Sequence, residues 1–315
     1  MPTTDIDILS QVLRTIRLRG SIFFCSKLSA PWGMTLTTTE HPRFHIVLEG
    51  SCWLQAEDMA EPVHMHAGDF VLLTHGSAHW IADDPNSDRI ASETAAAAYQ
   101  NGKPLFSGSK VSTRLLCGRF HFDSRSQHPL ITTLPSNIRT INVEKIERNW
   151  LHQTALLINE ELEQRRAGVD VLIDRICETL FVQILRSDGA LQHKQSGFLA
   201  ALHDPIISRA LQCIHNRLSH EWTVENLAAQ CNLSRSAFAS RFQQKIGIAP
   251  IAYLTLWRMQ NALRMLRDTP LSLAQIADHL GYSSDMALSK AFKRFYDDTP
   301  GGIRKTLRSE FHLTP

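Results

Sequence analysis

The side chains best suited to chemistry are histidines in the first third of the chain. Six of them fall close together: His41, His45, His64, His66, His75 and His79. Neutral imidazole is a good ligand for zinc, nickel, copper or iron, so a divalent metal site is one interpretation of this group. Structural or surface histidines, held by ordinary hydrogen bonds, are the other interpretation.

Cysteine thiols are the second group with reactive potential. The chain has 6 cysteines, scattered and without a CxxC pair, which indicates a reducing compartment and free thiols. Cys25 and Cys117 lie in segments expected to reach the same domain. A pair of thiols with lowered pKa values there would sense oxidants, because the thiolate is the reactive form. Buried, inert cysteines are the alternative.

The elements that must position these residues are short β-strands. Apolar runs of strand length occupy residues 44–48, 52–54, 70–73, 79–81 and 114–122. Gly50 predicts a hairpin turn between the first two runs, and residues 66–69 predict another turn. The polar, alanine-rich segment 83–110 predicts a long surface loop. This pattern is typical of a small barrel or sandwich.

The apolar period changes near residue 143, and helices are predicted over 146–166 and 169–186. A chain of 315 residues is long for a single domain. We therefore expect an α+β protein with two domains: 1–187, a linker over 188–203 and an all-helical domain over 204–308.

Hydropathy argues against a membrane or secreted protein, and the distribution of charge favours one that binds a polyanion. No apolar stretch reaches the ~18 residues that a membrane helix needs, and the N-terminus lacks the features of a secretory signal, so a cytoplasmic protein is expected. Residues 200–315 hold 14 Lys and Arg against 9 Asp and Glu, whereas residues 1–199 hold 19 against 22. A basic C-terminal part indicates a module that binds a polyanion.

The C-terminal part contains an internal repeat. One apolar helical stripe consists of Val224, Leu227, Ala228 and Cys231, and it recurs 49 residues later as Leu273, Ile276, Ala277 and Leu280. Asn232 and Gly281 follow the two stripes and tolerate the left-handed conformation that ends a helix. Ser234 and Ser283 are then predicted to cap the next helices, and residues 272–275 form a capping-box pattern. Two short helices joined by a tight turn, present twice, predict two helix-turn-helix motifs.

The second helix of each motif has polar positions that its core does not require. They are Arg235, Ser236, Ala239, Ser240 and Gln243 in the first copy and Asp285, Met286, Ser289, Lys290 and Lys293 in the second. Such a face can enter the major groove of DNA, with basic side chains on phosphates. A continuous helix over 250–267 would hold the motifs at the ~34 Å spacing of successive major grooves.

These residues resemble the AraC/XylS family of bacterial transcription regulators. The family pattern is carried by residues 222–228, 233–238 and 276–282, and the resemblance covers 204–308. One departure is Asp297, where the family has Gly; Asp can adopt the left-handed turn required there. Ala239 stands where a larger polar residue often reads a base, which leaves the readout of the first motif open.

The N-terminal part resembles the cupin-like sensing domain of one branch of that family, through residues 30–33, 44–54 and 68–79. The resemblance implies a cupin-like β-barrel, with the flanking helices of 143–186 available for dimerisation. Enzymatic cupins carry an H-x-H pair and a Glu in their first motif, and this chain lacks both. His79 occupies a ligand position of the second motif and His45 could project beside it, so a divalent metal at His45 and His79 stays open.

Taken together, these features predict a sequence-specific DNA-binding transcription regulator and not an enzyme. The resemblance implies a homodimeric activator that binds operator DNA, contacts RNA polymerase and senses a small effector or an oxidant at Cys25 and Cys117. Two alternatives are a metal-dependent cupin enzyme with a DNA-binding tail and a helical interaction module that does not touch DNA.

Overall fold

The computed structural model describes residues 7–101, 106, 108, 111–123, 125, 127–139, 145–187 and 197–312, in two compact units. The barrel unit comprises residues 18–122 and 134–193. The helical unit comprises residues 1–17, 123–133 and 194–315. Residues 188–196 of the predicted linker, and part of the predicted loop beyond residue 101, lie outside the described residues.

The described part of the barrel unit contains one sheet of nine strands. These are β1 (Arg19–Ser29), β2 (Gly33–Leu36), β3 (Arg43–Ala56), β4 (Val63–His66), β5 (Phe70–Leu73), β6 (His79–Ala82), β7 (Ile90–Ala91), β8 (Val111–His121) and β9 (Asn137–Arg139). The main path is β1-β8-β3-β6-β2-β7, with β4 and β5 on β3 and β9 on β5. The sheet curls around buried apolar side chains such as Leu54, Met65 and Leu115. This confirms the predicted cupin-like β architecture.

Strand β3 corrects the hairpin prediction at Gly50. Residues 43–56 form one continuous strand, in which Gly50 adopts φ 76° next to a register shift between Val47 and Glu49. The first half of β3 pairs with β5 and the second half with β4 and β6. A left-handed residue at a bulge bends a strand without reversing it, so Gly50 is a corner of the sheet and not a turn. The predicted turn at 66–69 is confirmed, with Gly68 at φ 88°.

The surface-loop prediction for 83–110 is confirmed for residues 83–89 and wrong for residues 90–100. Residues Ser92–Gln100 form helix α2, preceded by β7. Four consecutive alanines from Ala95 to Ala98 favour this helix, and Ala95 is buried in the barrel core. Two longer helices, α4 (Lys145–Gln164) and α5 (Val169–Arg186), confirm the predicted pair of helices.

The helical unit contains two helix-turn-helix motifs joined by a long helix. Its elements are α1 (Ile8–Ile16), α3 (Pro129–Thr132), α6 (Phe198–Leu202), α7 (Pro205–Asn216), α8 (Val224–Gln230), α9 (Arg235–Ile246), α10 (Pro250–Asp268), α11 (Leu273–His279), α12 (Asp285–Tyr296) and α13 (Pro300–His312). The helix predicted over 250–267 is α10. Helix α6 occupies part of the predicted linker because Phe198 and Leu199 are buried in this unit.

The helical unit also recruits two segments from the N-terminal part of the chain, which the predicted boundary at 187 does not anticipate. Helix α1 buries Ile8, Val12 and Ile16 and contacts α7 and α10. The segment 123–133 joins them: the carboxylate of Asp123 pairs with Arg267 of α10 at 3.1 Å.

A buried chain of hydrogen bonds fixes these segments on α10. The backbone N–H of Leu130 donates to Nδ1 of His128 (3.0 Å), so His128 is protonated at Nε2 and donates to the Tyr253 hydroxyl (3.2 Å). That hydroxyl donates to Nε2 of His215 (2.8 Å), whose Nδ1–H donates to Oε1 of Gln11 (3.0 Å). Every proton position follows from the acceptor or donor at the two ends of the chain. Burial lowers the pKa of His215 to about 3, which keeps this imidazole neutral.

Candidate functional sites

The first helix-turn-helix motif is fixed at each of its helix ends. Thr223 and Asn226 form a capping box at the start of α8, a Thr-x-x-Asn signal that the sequence analysis overlooked. Asn232 adopts φ 55° in the turn, and the Ser234 hydroxyl accepts from the N–H of Ala237 at the start of α9. The predicted turn and cap are confirmed.

The second motif follows the same plan with one correction. The capping box of Ser272 and Gln275 is confirmed, and Gly281 has φ 72°. Helix α12 is capped by Ser284 and not by Ser283, because one extra residue lies in this turn. Asp297 adopts φ 55° at the end of α12, as predicted for a residue that replaces Gly.

The apolar faces of α9 and α12 point inward and leave the predicted polar face outside. Phe238, Phe242, Leu288 and Phe292 are fully buried. Of the ten residues predicted to contact DNA, Ala239 and Ser289 are half-buried and the other eight are exposed. The side chain of Met286 is 77% exposed, which is unusual for an apolar residue without a partner surface.

Charged groups on the two faces differ between the motifs. Arg235 forms an ion pair with Glu225 of α8 at 2.6 Å, which holds its guanidinium at the start of α9. Lys290 and Lys293 are exposed on α12, and neither forms an ion pair with any residue described. The lysines of the second motif are therefore more available to a DNA phosphate than Arg235 of the first motif. Helix α10 separates the motifs, with Leu256, Met259, Leu263 and Leu266 buried along it as predicted.

The barrel unit contains a second candidate site, which is a cavity of about 220 Å³. Its apolar wall includes Phe24, Met34, Leu36, Ile81 and Ala95, and its polar wall includes His41, Arg43, His45, Glu93, Cys117 and Arg119. Helix α2 contributes Glu93 and Ala95, so the segment predicted as a loop forms part of the wall. Arg43 and Arg119 were not among the residues predicted from the sequence. Their signal was the strand alternation, which places Arg43 on the face of His45 and Arg119 on the face of Cys117.

His45 and Cys117 of this wall form a buried hydrogen-bonded row with His79, which lies behind the wall. Nδ1 of His79 donates to the carbonyl of Ser77 (2.8 Å), which leaves its Nε2 as an acceptor. His45 donates to it from Nε2 (2.8 Å), and Nδ1 of His45 then accepts from the Cys117 thiol (2.9 Å). All three groups are uncharged in this arrangement. Burial accordingly lowers the pKa of His79 to about 4 and moves the pKa of His45 well below its usual value.

This donor set does not fit a metal centre. His45 and His79 do meet, as the sequence suggested, but each ring nitrogen already has a hydrogen-bond partner. Across the described ranges, no group of three or more His, Cys, Asp or Glu side chains is placed to hold a metal ion. His64 lies on β4 and stacks on Trp53 with ring centroids 4.3 Å apart, and the ring of His66 contacts His64 at a tilt.

The two cysteines predicted to act as a redox pair face opposite sides of the sheet. Cys25 lies opposite Leu116 in the β1–β8 register, whereas Cys117 lies opposite Phe24. The Cys25 thiol donates to Oδ1 of Asn159 on α4 (3.2 Å), away from the cavity wall that holds Cys117. Burial raises the pKa of Cys25 to about 11 and the pKa of Cys117 well above its usual value. The structure therefore gives these thiols neither a shared face nor the lowered pKa that the prediction requires.

Comparisons with known proteins cover both units. A cupin family model matches residues 7–188, and a helix-turn-helix domain model matches residues 227–306. The chain is 30% identical to a putative AraC-like transcription regulator of Streptomyces lividans, over 95% of this chain and 98% of that protein. It is 30% identical to the HTH-type transcriptional regulator AlkR of Acinetobacter baylyi, over 95% and 99%. It is also 28% identical to the RCS-specific HTH-type transcriptional activator RclR of Escherichia coli, over 96% and 99%. None of the helices described is long and apolar enough to cross a membrane.

Proposed function

This chain belongs to the AraC-like family of DNA-binding transcription regulators and carries a cupin domain. We propose that a small effector bound in the barrel cavity controls its affinity for operator DNA. The observation that supports DNA readout best is the pair of capped motifs with exposed faces on α9 and α12. Arg235, Ser236, Ala239, Ser240 and Gln243 of α9 and Asp285, Met286, Ser289, Lys290 and Lys293 of α12 contact the DNA.

The roles of these residues follow from their chemistry. Lys290 and Lys293 carry free positive charge and contact phosphates or the acceptor edges of guanine. Met286 offers an exposed apolar surface that suits a thymine methyl group. In the first motif Arg235 and Gln243 are the long polar side chains, while Ala239 supplies only a small apolar contact.

Lys290→Ala tests this assignment. The operator is first obtained by selection from random duplex DNA, and affinity is then measured over a range of salt concentrations. If Lys290 reads a base, the variant loses about 1–3 kcal/mol and discriminates less at one position. If Lys290 contacts a phosphate, specificity stays and the salt slope falls by about one.

Lys305→Ala is the matched control, since Lys305 is an exposed lysine of the same unit on α13 and not on α12. It is expected to keep both affinity and salt slope. A Lys290→Ala variant that matches this control would show that α12 does not enter the groove.

The functional form is a homodimer in the cytoplasm, where the chromosome lies. Exposed apolar side chains on α4 and α5 support self-association: Trp150, Leu157, Val171 and Leu172 are between 37% and 66% exposed. The output is transcriptional activation, which the name of the Escherichia coli relative supports. Contact with RNA polymerase is the route by which a DNA-bound regulator would produce it.

Of the two signals considered for the barrel, an effector is better supported than an oxidant. The cavity is partly open and has a mixed apolar and polar wall, which is typical of a ligand site. The raised pKa values of Cys25 and Cys117 disfavour the reactive thiolate form.

A further inference from the structure

Two arginines stand opposite each other at one end of the barrel cavity. Arg43 of β3 and Arg119 of β8 are direct partners in the antiparallel register, so their side chains share one face, and both line the cavity. Like charges placed opposite each other across a strand pair are destabilising. Among the ion pairs within the described residues, none involves either guanidinium. Among the described residues, neither of these two neighbouring positive charges is therefore paired with a carboxylate at ion-pair distance, and Glu93 is the charged group that acts most strongly on Arg43.

Hydrogen bonds orient both guanidinium groups and leave donors free. Nη1 of Arg43 donates to the carbonyl of Thr37 at 2.8 Å, which uses one of its five N–H groups. Nε of Arg119 donates to the hydroxyl of Ser21 at 3.4 Å. The remaining N–H groups of both side chains are available to a ligand with two acceptor oxygens.

The surroundings of the two arginines contain one carboxylate and two histidines. Glu93 is the single carboxylate on the described cavity wall, and it is exposed at the first turn of α2. His41 also lines the cavity and contacts His121 in a tilted arrangement, with ring centroids 4.2 Å apart. Burial, with His41 and Arg119 nearby, lowers the pKa of His121, which shows that this end already disfavours a further positive charge.

The other wall of the cavity is apolar. Phe24, Met34 and Leu36 are at most 6% exposed, and Ile81 and Ala95 are fully buried or nearly so. An inorganic anion would leave this wall without a partner, whereas an uncharged apolar ligand would leave the arginines without one. A ligand with one anionic end and one apolar body satisfies both.

We propose that the cavity binds an organic acid as its carboxylate, with the carboxylate oxygens accepting from Arg43 and Arg119 and the apolar body packed on Phe24, Met34 and Leu36. This names the chemical class of the effector and so rests on the proposed function. The guanidinium groups of Arg43 and Arg119 suit bidentate recognition of a planar carboxylate. The negative charge of Glu93 weakens binding of that carboxylate.

Calorimetric titration of the full chain with octanoate and with 1-octanol tests the proposal, since the two probes share the apolar chain and differ in charge. Octanoate is expected to bind at least about tenfold more tightly than 1-octanol. Arg119→Gln should remove this preference. Lys27→Gln, which removes an exposed charge from β1 outside the cavity wall, should retain it. Glu93→Gln should strengthen octanoate binding, and this gain gives a result even if Arg119→Gln does not fold.

Three outcomes would overturn the proposal. Equal affinities for octanoate and 1-octanol would show a purely apolar cavity. An unchanged octanoate affinity in both Arg119→Gln and Glu93→Gln would show that these charges do not face the ligand. No binding of octanoate by a protein that still binds its selected operator would refute the ligand class and leave DNA binding intact. Loss of operator binding by the wild-type protein would instead count against the proposed function.

Discussion

The hydroxyl of Tyr253 is the centre of the buried hydrogen-bond chain on α10, and Tyr253→Phe removes it without changing the ring. Tyr253 and His128 are fully buried and His215 is 8% exposed, so water does not replace the lost group. The substitution leaves the Nε2–H of His128 without an acceptor and Nε2 of His215 without a donor. We therefore expect a destabilised helical unit.

The size of the effect follows from these two groups. An unsatisfied buried donor or acceptor costs about 1–3 kcal/mol, so the pair predicts a loss of about 2–6 kcal/mol. No cavity penalty is added, because phenylalanine fills the same volume apart from the oxygen. A loss of this size is a large part of the ~5–15 kcal/mol that stabilises a typical domain.

Hydrogen exchange measured by mass spectrometry reports the loss of stability in each unit separately. Amides of α10 are expected to exchange at least about thirtyfold faster in Tyr253→Phe, the factor that corresponds to ~2 kcal/mol. Amides of β3 in the barrel unit provide an internal reference. Tyr282→Phe is the control, because no residue described hydrogen-bonds to the Tyr282 hydroxyl. If α10 exchanges alike in both variants, the hydrogen-bond chain does not stabilise this helix.

Three further expectations follow from packing and burial. Gly118→Ala would place a Cβ in overlap with the buried ring of Phe44 and should lower the unfolding free energy by about 1–3 kcal/mol, measured by denaturant titration. The control Gly301→Ala, whose new Cβ has no atom within 4 Å, should leave the unfolding free energy unchanged. Equal unfolding midpoints for the two variants would contradict this packing. Since burial lowers the pKa of His215 to about 3 against 6.5 in the unfolded chain, the unfolded state binds the extra proton between these values. The contribution of His215 to stability should then fall by ~1.4 kcal/mol for each pH unit between about 6.5 and 3, and His215→Gln should reduce the overall slope; an unchanged slope would refute the assignment. Cys117, whose pKa burial raises, should be alkylated by iodoacetamide more slowly in the folded than in the urea-unfolded protein, and similar rates would show an accessible thiolate.

The helices of the two helix-turn-helix motifs could be predicted because their signals are local. Apolar positions three and four residues apart identify a buried helix face, and the serines and Asn232 mark the ends of helices within a few residues. The one wrong cap, Ser283 in place of Ser284, reflects a single inserted residue. The outward face of α12 follows from the same periodicity, since the inward positions are fixed by Leu288 and Phe292.

The barrel unit was predicted less completely because glycine and alanine carry ambiguous local signals. Gly50 permits a positive φ, and a positive φ occurs both in turns and at bulges, so the sequence does not distinguish a hairpin from a bent strand. The segment 83–110 is rich in small and polar residues, which hid helix α2. His45 and His79 were expected side by side, but their tautomers depend on the carbonyl of Ser77.

The amino-acid sequence alone was enough to predict the two helix-turn-helix motifs, most of their turn and cap residues and the β character of the first part, because each depends on residues within a turn or a strand of one another. The tertiary structure alone decided which distant residues meet. It placed Arg43 opposite Arg119 through strand register, turned Cys25 away from Cys117 through strand alternation, and joined α1 and His128 to Tyr253 on the long helix. These contacts join residues far apart in the chain, and they are set by how whole elements pack rather than by any local pattern.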